Sequence, residues 1–235
     1  MTESLLQVQD GNESTAAERR ALDLYATRPE VAQAICERLQ AEVRVPDVIV
    51  EPSAGPGRFV AAALAVWPGA HVIAVDVDGA HRATCLAAGA AEFHECDWPT
   101  WVERNRRAGV NCGHGRLLIL GNPPFSHAVQ HITAALELLL PGEHLVFLLR
   151  QSIRAAKERI GFWARSPLEE AALVLPRPSF IGGNDSGEYE VLRWTKGHQG
   201  RATIAPPILW GSAKAEAEVA RDQLGLFAAP AGRVG

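Results

Sequence analysis

Val48-Ile49-Val50-Glu51-Pro52-Ser53-Ala54-Gly55-Pro56-Gly57-Arg58-Phe59 reads as a buried strand, a glycine-rich turn and the first residues of a helix. Val48, Ile49 and Val50 are β-branched, which suits a half- or fully buried strand. Gly55 and Gly57 permit tight backbone geometry and close approach of a ligand. The helix start behind them offers N–H groups that have no partner within the helix. Apolar residues then recur at helical spacing from Phe59 to Trp67 and stop at Pro68-Gly69. No third glycine follows at the spacing of a dinucleotide fingerprint. Glu51 would also repel a pyrophosphate, whereas it suits a ligand that carries positive charge.

Outward from this unit the chain alternates strand and helix. Strands are predicted at residues 48–50, 71–75, 91–94, 117–120 and 145–149, with two more at 171–175 and 189–194. Pro29 can start a helix after the turn at Thr27-Arg28-Pro29, within a longer helical stretch over residues 21–39. Asp78 is placed to cap the helix that ends near Gly89. Further helices are expected over residues 126–140 and 152–164. Strands alternating with helices imply right-handed βαβ crossovers. The last two strands have no full helix between them, so they are expected to pair antiparallel at one end of the sheet. The expected fold is α/β, a doubly wound, seven-stranded and mostly parallel sheet with an antiparallel last strand. Residues 1–20 are expected to be loose, residues 21–210 to form the domain, and residues 211–235 to form a helical and flexible tail.

The second informative stretch is Leu117-Leu118-Ile119-Leu120-Gly121-Asn122-Pro123-Pro124-Phe125. Proline lacks an N–H and has a fixed φ, so the backbone leaves the sheet here. A polar amide, two stiff residues and an exposed aromatic are left at a strand end. A planar amino group needs that set: acceptors for its two hydrogens, here the Asn122 side chain and the Pro123 carbonyl, and a ring to stack on. Asp76, at the end of the second strand, can accept the two hydroxyls of a ribose.

Composition bounds the alternatives. The chain has 235 residues, a net charge of −4 and 47% hydrophobic residues, which fits one α/β domain with a full core. Any basic surface must therefore be local: Arg104, Arg106 and Arg107 form one cluster, and Arg150, Arg154, Lys157 and Arg159 another. Cys36, Cys85, Cys96 and Cys112 form no CxxC pair, so no metal is expected and reduced thiols in a cytoplasmic protein are. Met1-Thr2-Glu3-Ser4 does not read as a signal peptide, and the apolar stretch at 132–149 is interrupted too often to span a membrane.

Asn122-Pro123-Pro124-Phe125 resembles motif IV of class I S-adenosylmethionine-dependent N6-adenine methyltransferases, and Glu51-Pro52-Ser53-Ala54-Gly55-Pro56-Gly57 resembles their motif I. The resemblance implies S-adenosylmethionine as cofactor, with Glu51, Ser53, Gly55 and Gly57 around it. It also implies Asp76 as the motif II ribose acid and Asp97 as the motif III acid near the adenine. Tyr25 and Thr27, in Tyr25-Ala26-Thr27-Arg28-Pro29, resemble motif X beside the methionine end. Arg58, Pro56 and Arg28 depart from the usual pattern. Residues 175–180 and 189–194 resemble the late strands of phage and prophage members, which implies Arg177 and Phe180 at the substrate cleft.

The implied reaction is methyl transfer to adenine N6 in DNA, with Asn122, Pro123, Pro124 and Phe125 at the amine. Adenine in RNA and a protein glutamine amide share the chemistry, and an inactive clamp-associated accessory protein is the alternative of another class. No separate recognition region is visible. Gln223-Leu224-Gly225-Leu226-Phe227 looks like the peptide by which bacterial DNA enzymes dock on the replication sliding clamp, with Gln223, Leu224, Leu226 and Phe227 as the contacts. A helix end folding back on its own core is the other reading of that peptide.

Overall fold

The computed structural model describes residues 26–108, 116–178 and 187–224. The strands are β1 (Val48–Pro52), β2 (His71–Asp76), β3 (Glu92–Glu95), β4 (Leu117–Gly121), β5 (His144–Arg150), β6 (Leu168–Leu175), β7 (Tyr189–Thr195), β8 (Thr203–Ile204) and β9 (Ile208–Leu209). The helices are α1 (Pro29–Gln40), α2 (Arg58–Val66), α3 (Arg82–Ala87), α4 (Trp98–Ala108), α5 (Ala128–Leu138), α6 (Ile160–Trp163) and α7 (Ser212–Leu224).

One sheet of nine strands holds the described residues together, in the order β3-β2-β1-β4-β5-β7-β6-β8, with β9 paired to β6 off this path. The pairs from β3 through β5 are all parallel. β7 runs antiparallel to both β5 and β6. The antiparallel strand thus lies between β5 and β6, and β6 lies outside it. The two-residue strands β8 and β9 extend the edge beyond the seven expected.

Each central strand alternates its side chains between two cores, as the pleat demands. Ile49, Leu118, Leu120, Val146 and Leu148 face α1, α2 and α3 through Ile35, Phe59, Val60 and Cys85. Val50, Leu117, Ile119, Leu145 and Phe147 face α4 and α5 through Trp98, Trp101 and Ile132. Both faces are covered, which explains why these strands read as unbroken apolar runs.

Two local expectations change. α4 has no counterpart in the expected elements; Asp97 starts it, with Trp98, Trp101 and Val102 as its buried stripe. The helix expected over 152–164 is instead a set of short turns: Gln151–Arg154, Lys157–Arg159 and α6. Tertiary ties hold it in that form. Arg154 Nε and Nη2 each donate over 2.6 Å to the buried Glu190 carboxylate on β7, and Trp163 stacks on Trp194 with centroids 6.3 Å apart. α1 starts at Pro29, and residues 21–25 of the longer predicted helix lie outside the described residues.

From β1 the chain moves outward to β2 and β3, then returns to β4 on the other side of β1. The turns leaving β1 and β4 therefore part at a topological switch point, where open α/β sheets bind ligands. Val50 pairs with Ile119. Three residues further along each strand stand Ser53 and Asn122.

Candidate active site

The turn after β1 is built on left-handed backbone. Ser53 has φ +64°, Gly55 +51° and Gly57 +76°. Gly55 N–H donates to Asp76 Oδ2 over 2.7 Å, and Asp78 N–H donates to Asp76 Oδ1 over 2.9 Å. Asp76 is buried, and its two oxygens bind the ends of β1 and β2 together. Asp78 caps the 3-10 turn Gly79–His81 that leads into α3, accepting Ala80 N–H over 2.9 Å, and α3 itself has no side-chain cap, unlike the expectation. A Cβ at Gly57 would lie 3.2 Å from Cys85 Cα and 3.3 Å from Ala88 Cβ, so the turn sits directly on α3. A Cβ at Gly55 would meet nothing within 4 Å.

Glu51 lies beneath this turn. Its Oε2 accepts Val60 N–H over 3.0 Å, closing the start of α2, which has no side-chain cap of its own. Burial raises the Glu51 carboxyl well above its ordinary range; the Asp76 charge adds to the rise, and hydrogen bonds from the Val60 and Phe59 backbones oppose it. A structural role thus accompanies the cofactor role expected of Glu51.

The turn after β4 places the second set of residues. Asn122 is half-buried, and its Nδ2 donates to Thr27 Oγ1 over 3.1 Å. Thr27, just ahead of α1, is buried. Pro123 is buried too, and Pro124 continues in extended conformation at φ −52° and ψ 127°. Phe125 opens a 3-10 turn to His127. Its ring is half-buried, where an exposed one was expected, because neighbouring strands supply contacts. Arg150 Cζ lies 5.2 Å from the ring centroid, and the Tyr189 ring centroid lies 5.6 Å away. Arg150 Nε donates to Tyr189 Oη over 3.1 Å.

The remaining expected site residues are more scattered. Asp97 is exposed at the start of α4, accepting Thr100 N–H over 2.9 Å and the Thr100 hydroxyl over 2.7 Å. Those two bonds hold its carboxyl below the usual range. Arg177 is exposed and pairs with Glu188 over 3.1 Å. Tyr25, Phe180, Leu226 and Phe227 lie outside the described residues. Gln223 and Leu224 end α7. No group of three or more His, Cys, Asp or Glu side chains suited to a metal occurs among the described residues.

Sequence reasoning missed His131. It is buried on α5, with Nε2 3.1 Å from Ser53 Oγ and Nδ1 3.1 Å from the His127 carbonyl oxygen. Burial pushes it down to about 4, so the ring is neutral at physiological pH. The carbonyl fixes the proton on Nδ1, and Nε2 accepts from the Ser53 hydroxyl. The available signal was a histidine on the buried stripe formed by Ala128, Ile132 and Ala135.

No model of a protein family matches the chain, and no curated protein is significantly similar to it. Solved structures are. A protein of Agrobacterium tumefaciens assigned as an O-methyltransferase superposes with a TM-score of 0.57 at 19% identity, over 78% of this chain and 86% of its own. This is the fold of class I methyltransferases. The O-methyltransferase TomG of Streptomyces achromogenes, solved with S-adenosylmethionine, gives 0.53 at 13% identity over 81% of this chain and 93% of its own. A modification subunit assigned to a type I restriction enzyme of Vibrio vulnificus gives 0.55 at 11% identity, over 90% of this chain and 59% of its own.

The two glycines of the turn should respond differently to substitution. Gly57→Ala forces a Cβ into α3 on a left-handed backbone and should lower stability by about 2–3 kcal/mol. Gly55→Ala meets only the backbone penalty, about 1 kcal/mol. Urea unfolding of both variants measures the difference; equal losses would contradict the packing described for Gly57.

Proposed function

We propose that the chain is an S-adenosylmethionine-dependent methyltransferase that acts on the N6 amino group of adenine in DNA. The observation that carries this reading is the Asn122 amide, held by Thr27 at the end of β4, one strand away from the glycine turn of β1.

The residues fit the cofactor. The turn has left-handed backbone and open space beside Gly55, and Asp76 ends the neighbouring strand. Asp76 would face the ribose, Asp97 the adenine, and Glu51, Ser53 and Gly57 would shape the methionine end together with Thr27 and Tyr25. S-adenosylmethionine, when bound, supplies a methyl group on a sulfonium as the electrophile.

The chain's own residues prepare the nucleophile. With Nδ2 turned to Thr27, the Asn122 amide would offer its oxygen, which is buried in this structure, to one hydrogen of the amine. The Pro123 carbonyl takes the other. Accepting both hydrogens returns electron density to a nitrogen whose lone pair is otherwise delocalised into the ring. Positioning and fixed dipoles supply the rest of the rate. Pro124 stiffens the turn. Phe125 stacks on the base, worth about 1–3 kcal/mol, and an incoming base exchanges with the Arg150 guanidinium on the ring. In a duplex the base is first flipped out.

A polynucleotide is favoured over a small acceptor by the charge next to this ring. Arg150, at the end of β5, and Lys157 and Arg159 just after it outnumber Glu158 in a chain of net charge −4, while Arg154 is already paired with Glu190. Such a patch attracts phosphates locally. The modification subunit noted above lends the DNA reading further support. Arg177 and Phe180 are proposed at the same cleft. This reading places the enzyme in the cytoplasm beside its DNA; no helix among the described residues is long and apolar enough to cross a membrane. Gln223, Leu224, Leu226 and Phe227 are proposed to dock on the sliding clamp, which would tether the enzyme to DNA.

Incubation with methyl-labelled cofactor and DNA, RNA or protein in parallel should label DNA at adenine N6. Label in protein or RNA alone would overturn the choice of substrate. Asn122→Ala should lower turnover by about 10²–10³-fold; unchanged turnover would remove the proposed activation. Deleting residues 223–227 should abolish co-elution with the sliding clamp and leave methylation of short oligonucleotides intact, whereas equal clamp binding by both forms would dismiss the docking peptide.

A further inference from the structure

We propose that His131 is a positioning residue that couples the cofactor turn to the amine-holding turn. The proposal rests on the methyltransferase reading above and adds a residue that this reading does not use.

The two turns leave the sheet on adjacent strands, and beyond the last register pair no ladder holds them together. His131 spans that gap with both ring nitrogens. Nε2 accepts from Ser53 Oγ over 3.1 Å, and Nδ1–H donates to the His127 carbonyl over 3.1 Å. His127 closes the turn that Phe125 opens, and its own N–H donates to the Pro124 carbonyl over 3.0 Å. A continuous path therefore runs from Ser53 through the imidazole to the Pro124–Phe125 segment. The histidine is itself fixed: Trp98 Nε1 on α4 donates to the His131 carbonyl over 3.1 Å.

Ser53 is where such a tie has most effect. It is the one non-glycine residue among those described with positive φ, and it begins the glycine turn. The imidazole hydrogen bond holds its side chain in a single orientation. Transfer between two bound partners depends on alignment to a fraction of an ångström. A rigid ring bonded to both turns transmits that alignment from one to the other. Burial supports the role, because a ring kept neutral always offers Nε2 as an acceptor.

Three variants separate the two bonds. His131→Asn keeps an N–H near the position of Nδ1, and so the tie to His127, but does not reach Ser53. His131→Gln keeps an oxygen near the position of Nε2, and so the tie to Ser53, but loses His127. Ser53→Ala removes the Ser53 bond from the other side and leaves His131 in place. The readouts are the dissociation constant of S-adenosylhomocysteine by calorimetry and the single-turnover rate on an oligodeoxynucleotide, with thermal melting to verify folding.

Ser53→Ala and His131→Asn should each weaken S-adenosylhomocysteine binding about fivefold. Their double variant should be no weaker than either, as expected for two substitutions that break one bond. His131→Gln should bind within about twofold of the parent and turn over about tenfold more slowly. Unchanged binding in Ser53→Ala, or losses that multiply in the double variant, would overturn the coupling. Because Ser53 also lies in the proposed cofactor turn, the coupling is supported only by equal losses in the single and double variants, and unchanged binding in Ser53→Ala overturns it even if the His131 variants do not fold. If the parent protein fails to bind S-adenosylhomocysteine, the methyltransferase reading itself fails; if it binds and the variants behave independently, only the coupling fails.

Discussion

One buried carboxylate, that of Asp76, sets the geometry of the turns at the ends of β1 and β2. It accepts Gly55 N–H over 2.7 Å and Asp78 N–H over 2.9 Å, so β1 and β2 end at a common anion. Charge-assisted bonds of this kind are shorter and stronger than neutral ones. Together with the bond from Ala54 N–H to the Val75 carbonyl, 3.0 Å, this carboxylate fixes the turn from Ser53 to Gly57 against the end of β2. With it, Gly57 settles onto α3, and Glu51 can reach the first N–H groups of α2. The parallel ladder between β1 and β4 carries this geometry as far as Val50 and Ile119, three residues before Asn122.

The electrostatics of those turns point to a cationic ligand. Glu51 and Asp76 are both buried at the base of the turn. Burial and the neighbouring Asp76 charge together disfavour ionisation of Glu51. A positive ligand arriving above the turn would oppose both effects. The amine side is different in kind. Thr27, Asn122, Pro123 and the His127 carbonyl are neutral dipoles, which suits a planar amine that must lose none of its own charge balance before transfer. Farther out, the Arg150 guanidinium lies over the Phe125 ring.

Much of this was legible in the chain itself. Gly55 and Gly57 announce a turn because their left-handed φ values exclude most other residues, and Asn122-Pro123-Pro124 announces a strand exit because proline cannot extend a ladder. Asp78 was recognisable as a cap, which it supplies to the turn before α3. The misses have physical causes. α4 was hidden because Asp97 was read for its charge, when its bonds to Thr100 make it a helix start. The segment after β5 has good helical composition, but the ion pair of Arg154 with Glu190 and the stacking of Trp163 on Trp194 override local propensity. Phe125 was expected to be exposed, since nothing local reveals that Arg150 and Tyr189 converge on its ring. His131 was silent for the same reason: its partners, Ser53 and the His127 carbonyl, come together only in the folded chain.

The most direct test of the central claim, that the two turns form a single site, is a crystal structure with S-adenosylhomocysteine bound. The account predicts the ligand across the Ser53–Gly57 turn, its ribose beside Asp76 and its sulfur directed at the Asn122 amide. Ligand bound at another edge of the sheet, or an Asn122 side chain walled off from the sulfur, would contradict it.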